Sequence, residues 1–143
     1  VKGRRLSGAG RGVRSNGRSK RSGPFVRIPN FVFDSPAYRS LKPGPRALLS
    51  EIIRRYNGSN NGHIGLGVRE ACAALNMKDK DTVNGFFKEL VGKGFIVCVR
   101  SGGFNMKDPS SRRASEWRIT WERAADEPPT KEFMRWKPEL LRS

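Results

Sequence analysis

Between residues 78 and 95, in the stretch KDKDTVNGFFKELVGKGF, apolar side chains fall at Val83, Phe86, Phe87, Leu90 and Val91. Spacings of three, four, seven and eight belong to a helix with one buried face, and the positions between them are polar. Asp79 or Asp81 suits the N-cap, and Gly92 or Gly94 suits the left-handed residue that ends the helix. The same period recurs upstream. Leu48, Leu49, Ile52, Ile53 and Tyr56 make one stripe behind Pro43 and Pro45, which fit a first helical turn, and Asn57-Gly58 marks its end. Val68, Ala71, Cys72 and Leu75 make another, with Asn76 as its C-terminal cap. A shorter helix follows Ser35-Pro36, an N-cap with proline in the first position, and runs to about Ser40.

The period then changes. FIVCVR and ASEWRITW read as strands, and in the second Trp117, Ile119 and Trp121 alternate with Glu116, Arg118 and Thr120, the pattern of a half-buried antiparallel strand. SGGFNMKDPSSRR, between them, reads as a long basic loop. NGSNNG is a polar turn cluster, and HIGL after it suits a short strand through Ile64 and Leu66. PFVRIPNFVF is β-rich but broken by Pro29, which predicts an extended lead-in or an edge segment.

Helix, short strand, helix, turn, helix, strand, basic loop, strand is the order of an α+β, mainly α, winged helix-turn-helix domain, a three-helix core with a β-hairpin wing. In that layout the third helix meets the major groove of DNA. Its apolar residues hold the core, leaving Thr82, Asn84, Gly85 and Lys88 outward, with Lys78 and Lys80 at its start. Asn84 carries the donor and acceptor that pair with adenine; Thr82 can bond a phosphate or offer its methyl to thymine, and the lysines can meet phosphate or guanine. Gly85 costs about 1 kcal/mol against alanine inside a helix. Close approach of the backbone to DNA, a tight helix–helix contact and simple drift all remain open as its reason.

Charge sharpens the picture. The 143 residues carry a net charge of +16, and the 36% hydrophobic content is low unless part of the chain lies outside the core. Residues 1–24 hold eight basic and no acidic residues, residues 25–121 hold sixteen and eight, and residues 122–143 five of each. The division is a disordered basic arm (1–24), the winged helix-turn-helix domain (25–121), and a linker with a short C-terminal extension (122–143). In the arm, Arg11, Arg14, Arg18, Lys20 and Arg21 are positioned for phosphates, as are Lys107, Arg112 and Arg113 in the wing. Such a field attracts polyanions, nucleic acid first. Asp79 and Asp81 oppose it and fit better as caps.

Other classes find little support. The apolar runs fall far short of the about 20 residues that span a bilayer, and no apolar segment follows the N-terminal basic residues as in a secretory signal. Cys72 and Cys98 lack companions at metal spacing and read as buried free thiols in a reducing cytoplasm. His63 is the single histidine and builds no triad, GLG at 65–67 lacks the context of a dinucleotide loop, and no acidic cluster suggests a metal. The expectation is a non-enzyme without cofactor, membrane partner or evident small-molecule substrate, located in the cytoplasm. An RNA- or ribosome-binding role competes, since Arg/Gly/Ser tails bind RNA well, although the aromatics sit mainly at core-facing periods. KEFMRWKPELL suits a docking element, either a homodimer contact or a cover for the domain's own core.

Several blocks also carry a resemblance. FVRIPNFVFDSPAYRSLKPGPRALLSEIIRRYNGSNNGHIGLGVREACAAL, DTVNGFFKELVGKGFI, GGFNMK and RRASEWRITW resemble a group of small bacterial helix-turn-helix proteins common in alphaproteobacteria and often associated with mobile or accessory DNA. The resemblance covers about residues 25–121 and implies a winged-helix DNA-binding fold, with the reading helix at Asp81 to Gly92 and the wing at Ser101 to Ala114. Gly85 stands where similar proteins more often carry alanine or a longer side chain. The resemblance transfers a fold better than a job; transcriptional regulation is the use expected of such a domain, with replication, excision or DNA architecture on a mobile element as alternatives.

Overall fold

A computed structural model describes residues 23–105 and 108–138, and for 103–105 and 108–113 the backbone alone. Among the described residues the fold is α+β and mainly helical, with five helices, a small three-stranded antiparallel sheet and a two-stranded ribbon. α1 (Asn30–Phe33) and α2 (Pro36–Ser40) are single turns, joined at Ser35. The Ser35 hydroxyl accepts from Tyr38 N–H at 3.2 Å and donates to the Val32 carbonyl at 2.6 Å, so one buried side chain ends the first turn and caps the second. The helical turn at Asn30–Phe33 corrects the extended segment expected there: Pro29 opens the turn, and Val32 reaches the core with no exposed surface.

α3 (Pro43–Arg54), α4 (Val68–Leu75) and α5 (Lys80–Gly92) pack against one another. Leu48, Leu49, Ile52 and Ile53 of α3 meet Ala71 and Cys72 of α4 and Val83, Phe87 and Leu90 of α5 in one hydrophobic cluster. α3 ends before Tyr56, which is only partly buried. Asn76 closes α4 in the left-handed region at φ 53°, the conformation asparagine tolerates best after glycine. Two α5 residues expected in the core lie at its margin. Phe86 is half-buried, and Val91 is 41% exposed, because the helix turns it past the core toward a surface groove shared with Ile96, Val97 and Trp136.

The sheet has the order β1–β5–β2, formed by β1 (Ile64–Gly65), β5 (Glu116–Ile119) and β2 (Ile96–Arg100), all antiparallel. Its register sets Ile64 and Cys98 on either side of Trp117. Asn61 anchors the sheet to the preceding loop: buried, it donates to the carbonyls of Ile119, Glu122 and Arg123 and accepts from Ile119 N–H at 2.7 Å. Thr120 breaks the expected alternation, being buried with its hydroxyl shared between the Gly94 and Phe95 carbonyls. Cys98 is exposed rather than buried, because β2 is an edge strand that runs off the core after Ile96, with a register shift between Cys98 and Arg100.

The expected loop between the two long strands is a second ribbon, β3 (Gly103–Asn105) paired antiparallel with β4 (Asp108–Arg113). Gly102 N–H bonds the Ser115 hydroxyl at 2.9 Å where the two ribbons join. After Trp121 the chain returns to the core. A 3-10 turn, Glu132–Arg135, inserts Phe133 with no exposed surface, stacked on Phe95 at 5.1 Å and edge-on to Trp121 at 5.7 Å. Gly94 receives this turn: at φ +86° it lies in the left-handed region, its carbonyl accepts from Phe133 N–H, and a Cβ there meets the Phe133 and Glu132 backbone below 3.0 Å. Through Phe133 this segment covers the domain's own core. Among the described residues no helix is long and apolar enough to cross a membrane.

Candidate nucleic-acid interface

The start of α5 is built around Asp79. Its carboxylate accepts from Asp81 N–H at 3.0 Å and from the Thr82 hydroxyl at 2.6 Å, which makes Asp79, not Asp81, the N-cap. These bonds hold the Asp79 carboxyl below its ordinary range, the Thr82 hydroxyl contributing most. Asp81 is an exposed acid in the first turn, favoured there by the helix dipole. Thr82 directs its single O–H at Asp79, so in this arrangement it offers a phosphate no donor and keeps its methyl group.

Lys78, Lys80, Thr82, Asn84, Gly85 and Lys88 are all exposed. The helix holds them outward by what it buries opposite, since Val83, Phe87 and Leu90 face the core and Phe87 stacks on Trp117 at 4.8 Å with the rings 11° from parallel. A Cβ built on Gly85 meets nothing within 4 Å. Among the described residues the tight helix–helix contact considered for that glycine is therefore absent. The contact exists elsewhere: Gly44, in the first turn of α3, faces the Phe86 ring so closely that any Cβ there collides with it.

The outward face of α5 is close to electrically balanced. Lys78, Lys80 and Lys88 are offset by Asp79 and Asp81, and Glu89 pairs with Lys93 at 2.8 Å. Exposed amide, methyl and ammonium groups are therefore present on α5 with little net charge among its own side chains.

Trp117 joins α5 to the other elements. Its ring stacks on Phe87 and its indole N–H donates to the Leu66 carbonyl at 2.9 Å, one residue before the Gly67 N-cap of α4. Leu66 N–H in turn bonds the Ser115 carbonyl, and a Cβ on Gly67 lies 3.8 Å from that of Ala114. The base of the β3–β4 ribbon thus abuts the first turn of α4. Arg112 and Arg113 fall on β4, where only backbone is described; Gly103 pairs with Arg113. Lys107 lies outside the described residues, as do Arg11, Arg14, Arg18, Lys20 and Arg21 of the arm.

Sequence patterning missed three features of this region: the packing role of Gly44, the Thr82–Asp79 bond and the near-neutral balance of the helix face. Asp79 and Thr82 stand three apart, the spacing of a side-chain bond across one helical turn, which was the signal for the second. His63 approaches Glu116 at 3.8 Å on the surface. No family model matches the chain, nor does any curated protein or solved structure.

Proposed function

We propose that the chain is a winged helix-turn-helix protein that binds duplex DNA, with α5 in the major groove and the β3–β4 ribbon as the wing. The observation that carries this reading is Gly85. A glycine in the middle of a 13-residue helix, exposed and with empty space beyond its Cα, has no packing reason among the described residues. Close approach of the helix backbone to a partner surface supplies one. Asn84 and Lys88, four residues apart on the same face, flank it with an amide for adenine and an ammonium for guanine or phosphate.

The chemistry divides into two parts. Asn84, the Thr82 methyl and Lys88 choose the sequence, and a good bidentate pair discriminates by about 1–3 kcal/mol. Affinity comes from Lys107, Arg112 and Arg113 of the wing and from the arm, through counterion release. The reading requires the ribbon and the outward side of α5 to meet one duplex, and the Leu66–Trp117–Phe87 connection supports that. Transcriptional regulation is the use we favour; replication, excision or architecture on mobile DNA draw on the same contacts.

Gel shifts with duplex DNA and structured RNA test the reading. Duplex is expected to bind better, Asn84→Ala to change the preference among duplex sequences more than the overall affinity, and neutralising Arg112 and Arg113 to weaken binding to every sequence and flatten its salt dependence. Equal or tighter binding of RNA contradicts it.

A further inference from the structure

A DNA-binding face whose central helix is nearly neutral needs cations on the elements that border it. α5 is bordered by α3 along the stripe of Thr82, Phe86, Glu89 and Lys93. Phe86 packs against Gly44, and Lys93 Nζ donates to the Ser40 hydroxyl at 2.8 Å while pairing with Glu89. The α2–α3 junction therefore runs alongside α5. Gly85 lies on the next stripe outward, three residues from Thr82 and four from Glu89.

That junction carries charge of one sign. Residues 35–50 contain Arg39, Lys42 and Arg46 and no acidic residue. Arg46 is committed internally: its guanidinium donates to the Tyr38 and Arg39 carbonyls at 3.2 Å and lies over the Tyr38 ring at 4.8 Å, fastening the end of α2 to α3. Arg39 and Lys42 are exposed. Lys42 is the N-cap residue of α3, and its ammonium, a donor only, has no acceptor to offer the first-turn amides of that helix. On α5, Glu89 pairs with the same Lys93 that reaches Ser40, and the exposed Asp34 lies at the far end of α2 from Lys42.

We infer that Arg39 and Lys42 form a second phosphate-contacting lip beside α5, holding the DNA backbone on the side where Gly85 opens the helix surface. The inference rests on the duplex-DNA reading and deepens it. Arg46 sets the junction's shape, and the two exposed cations supply what the balanced helix lacks. DNA seated on α5 then meets positive charge along the α3 border as well.

The test compares two double variants with the wild-type chain on one duplex over a range of salt. Arg39→Gln/Lys42→Gln removes the lip; Arg54→Gln/Arg123→Gln removes the same charge at exposed sites, Arg54 being at the opposite end of α3 from Lys42. Matching thermal melts establish that both fold. The lip variant is expected to bind several-fold more weakly, with a log–log salt slope shallower by about 1–2, since each neutralised phosphate contributes about 0.9. The control variant is expected to stay close to wild type. Indistinguishable slopes for the two variants overturn the lip and leave duplex binding standing. A wild-type chain with no preference for duplex overturns the underlying reading, and the lip with it.

Discussion

Gly44 and Gly85 are both glycines inside helices, and they differ in what a side chain at each would meet. At Gly44 the α3 backbone approaches the Phe86 ring too closely for any Cβ; at Gly85 a Cβ projects into open space. The first glycine is explained by the fold, which needs α3 and α5 in contact. The second is not, and it costs the isolated protein about 1 kcal/mol of helix stability against alanine. The same division runs along α5: Val83, Phe87 and Leu90 are fixed by burial, while Asn84, Gly85 and Lys88 are exposed.

The largest expected effect breaks the packed side of this comparison. Gly44→Val forces a branched side chain against Phe86 and is expected to destabilise by about 2–3 kcal/mol in denaturant unfolding. Shortening the ring with Phe86→Leu should recover part of that loss, and additive effects in the double-mutant cycle would show that the two residues do not share the space. At the open side the sign reverses. Gly85→Ala is expected to raise stability by about 0.5–1 kcal/mol while weakening duplex binding. Tighter or unchanged binding would remove close backbone approach as the reason for this glycine.

The smallest effect concerns the α5 cap. The Asp79 carboxyl is held low by Thr82, so its contribution to stability is complete above the ordinary value of 3.8 and is lost as pH falls through the depressed value. Thr82→Ala should move the Asp79 midpoint back up toward 3.8 in an NMR titration. An unmoved midpoint would mean that the hydroxyl bond does not form in solution.

Local elements were legible in the sequence because their signals are local. The Ser35-Pro36 start, the Asn76 cap and the three stripes of apolar residues each depend on neighbours within about four positions. What escaped depends on distant partners. Asn61 lies in a stretch that reads as an ordinary polar turn, yet its amide is buried against carbonyls some sixty residues away. For Phe133 the docking role was readable from its segment's aromatics, but its place against Gly94 and Phe95 was not. Cys98 and Thr120 obey strand alternation on paper. The edge position of β2 exposes the first, and two carbonyls at the end of α5 bury the second. Of the candidate site, the outward residues of α5 followed from periodicity, whereas its electrical balance and its contact with the α2–α3 junction needed coordinates.

The claim on which the rest stands is that the outer side of α5 is a contact surface for duplex DNA. Amide NMR of the full chain, recorded while a duplex is titrated in, reads that surface residue by residue. The account predicts the largest perturbations at Thr82, Asn84, Gly85 and Lys88, with smaller ones at Arg39 and Lys42. Perturbations that spare α5 and gather elsewhere, for instance around Trp136, would contradict it.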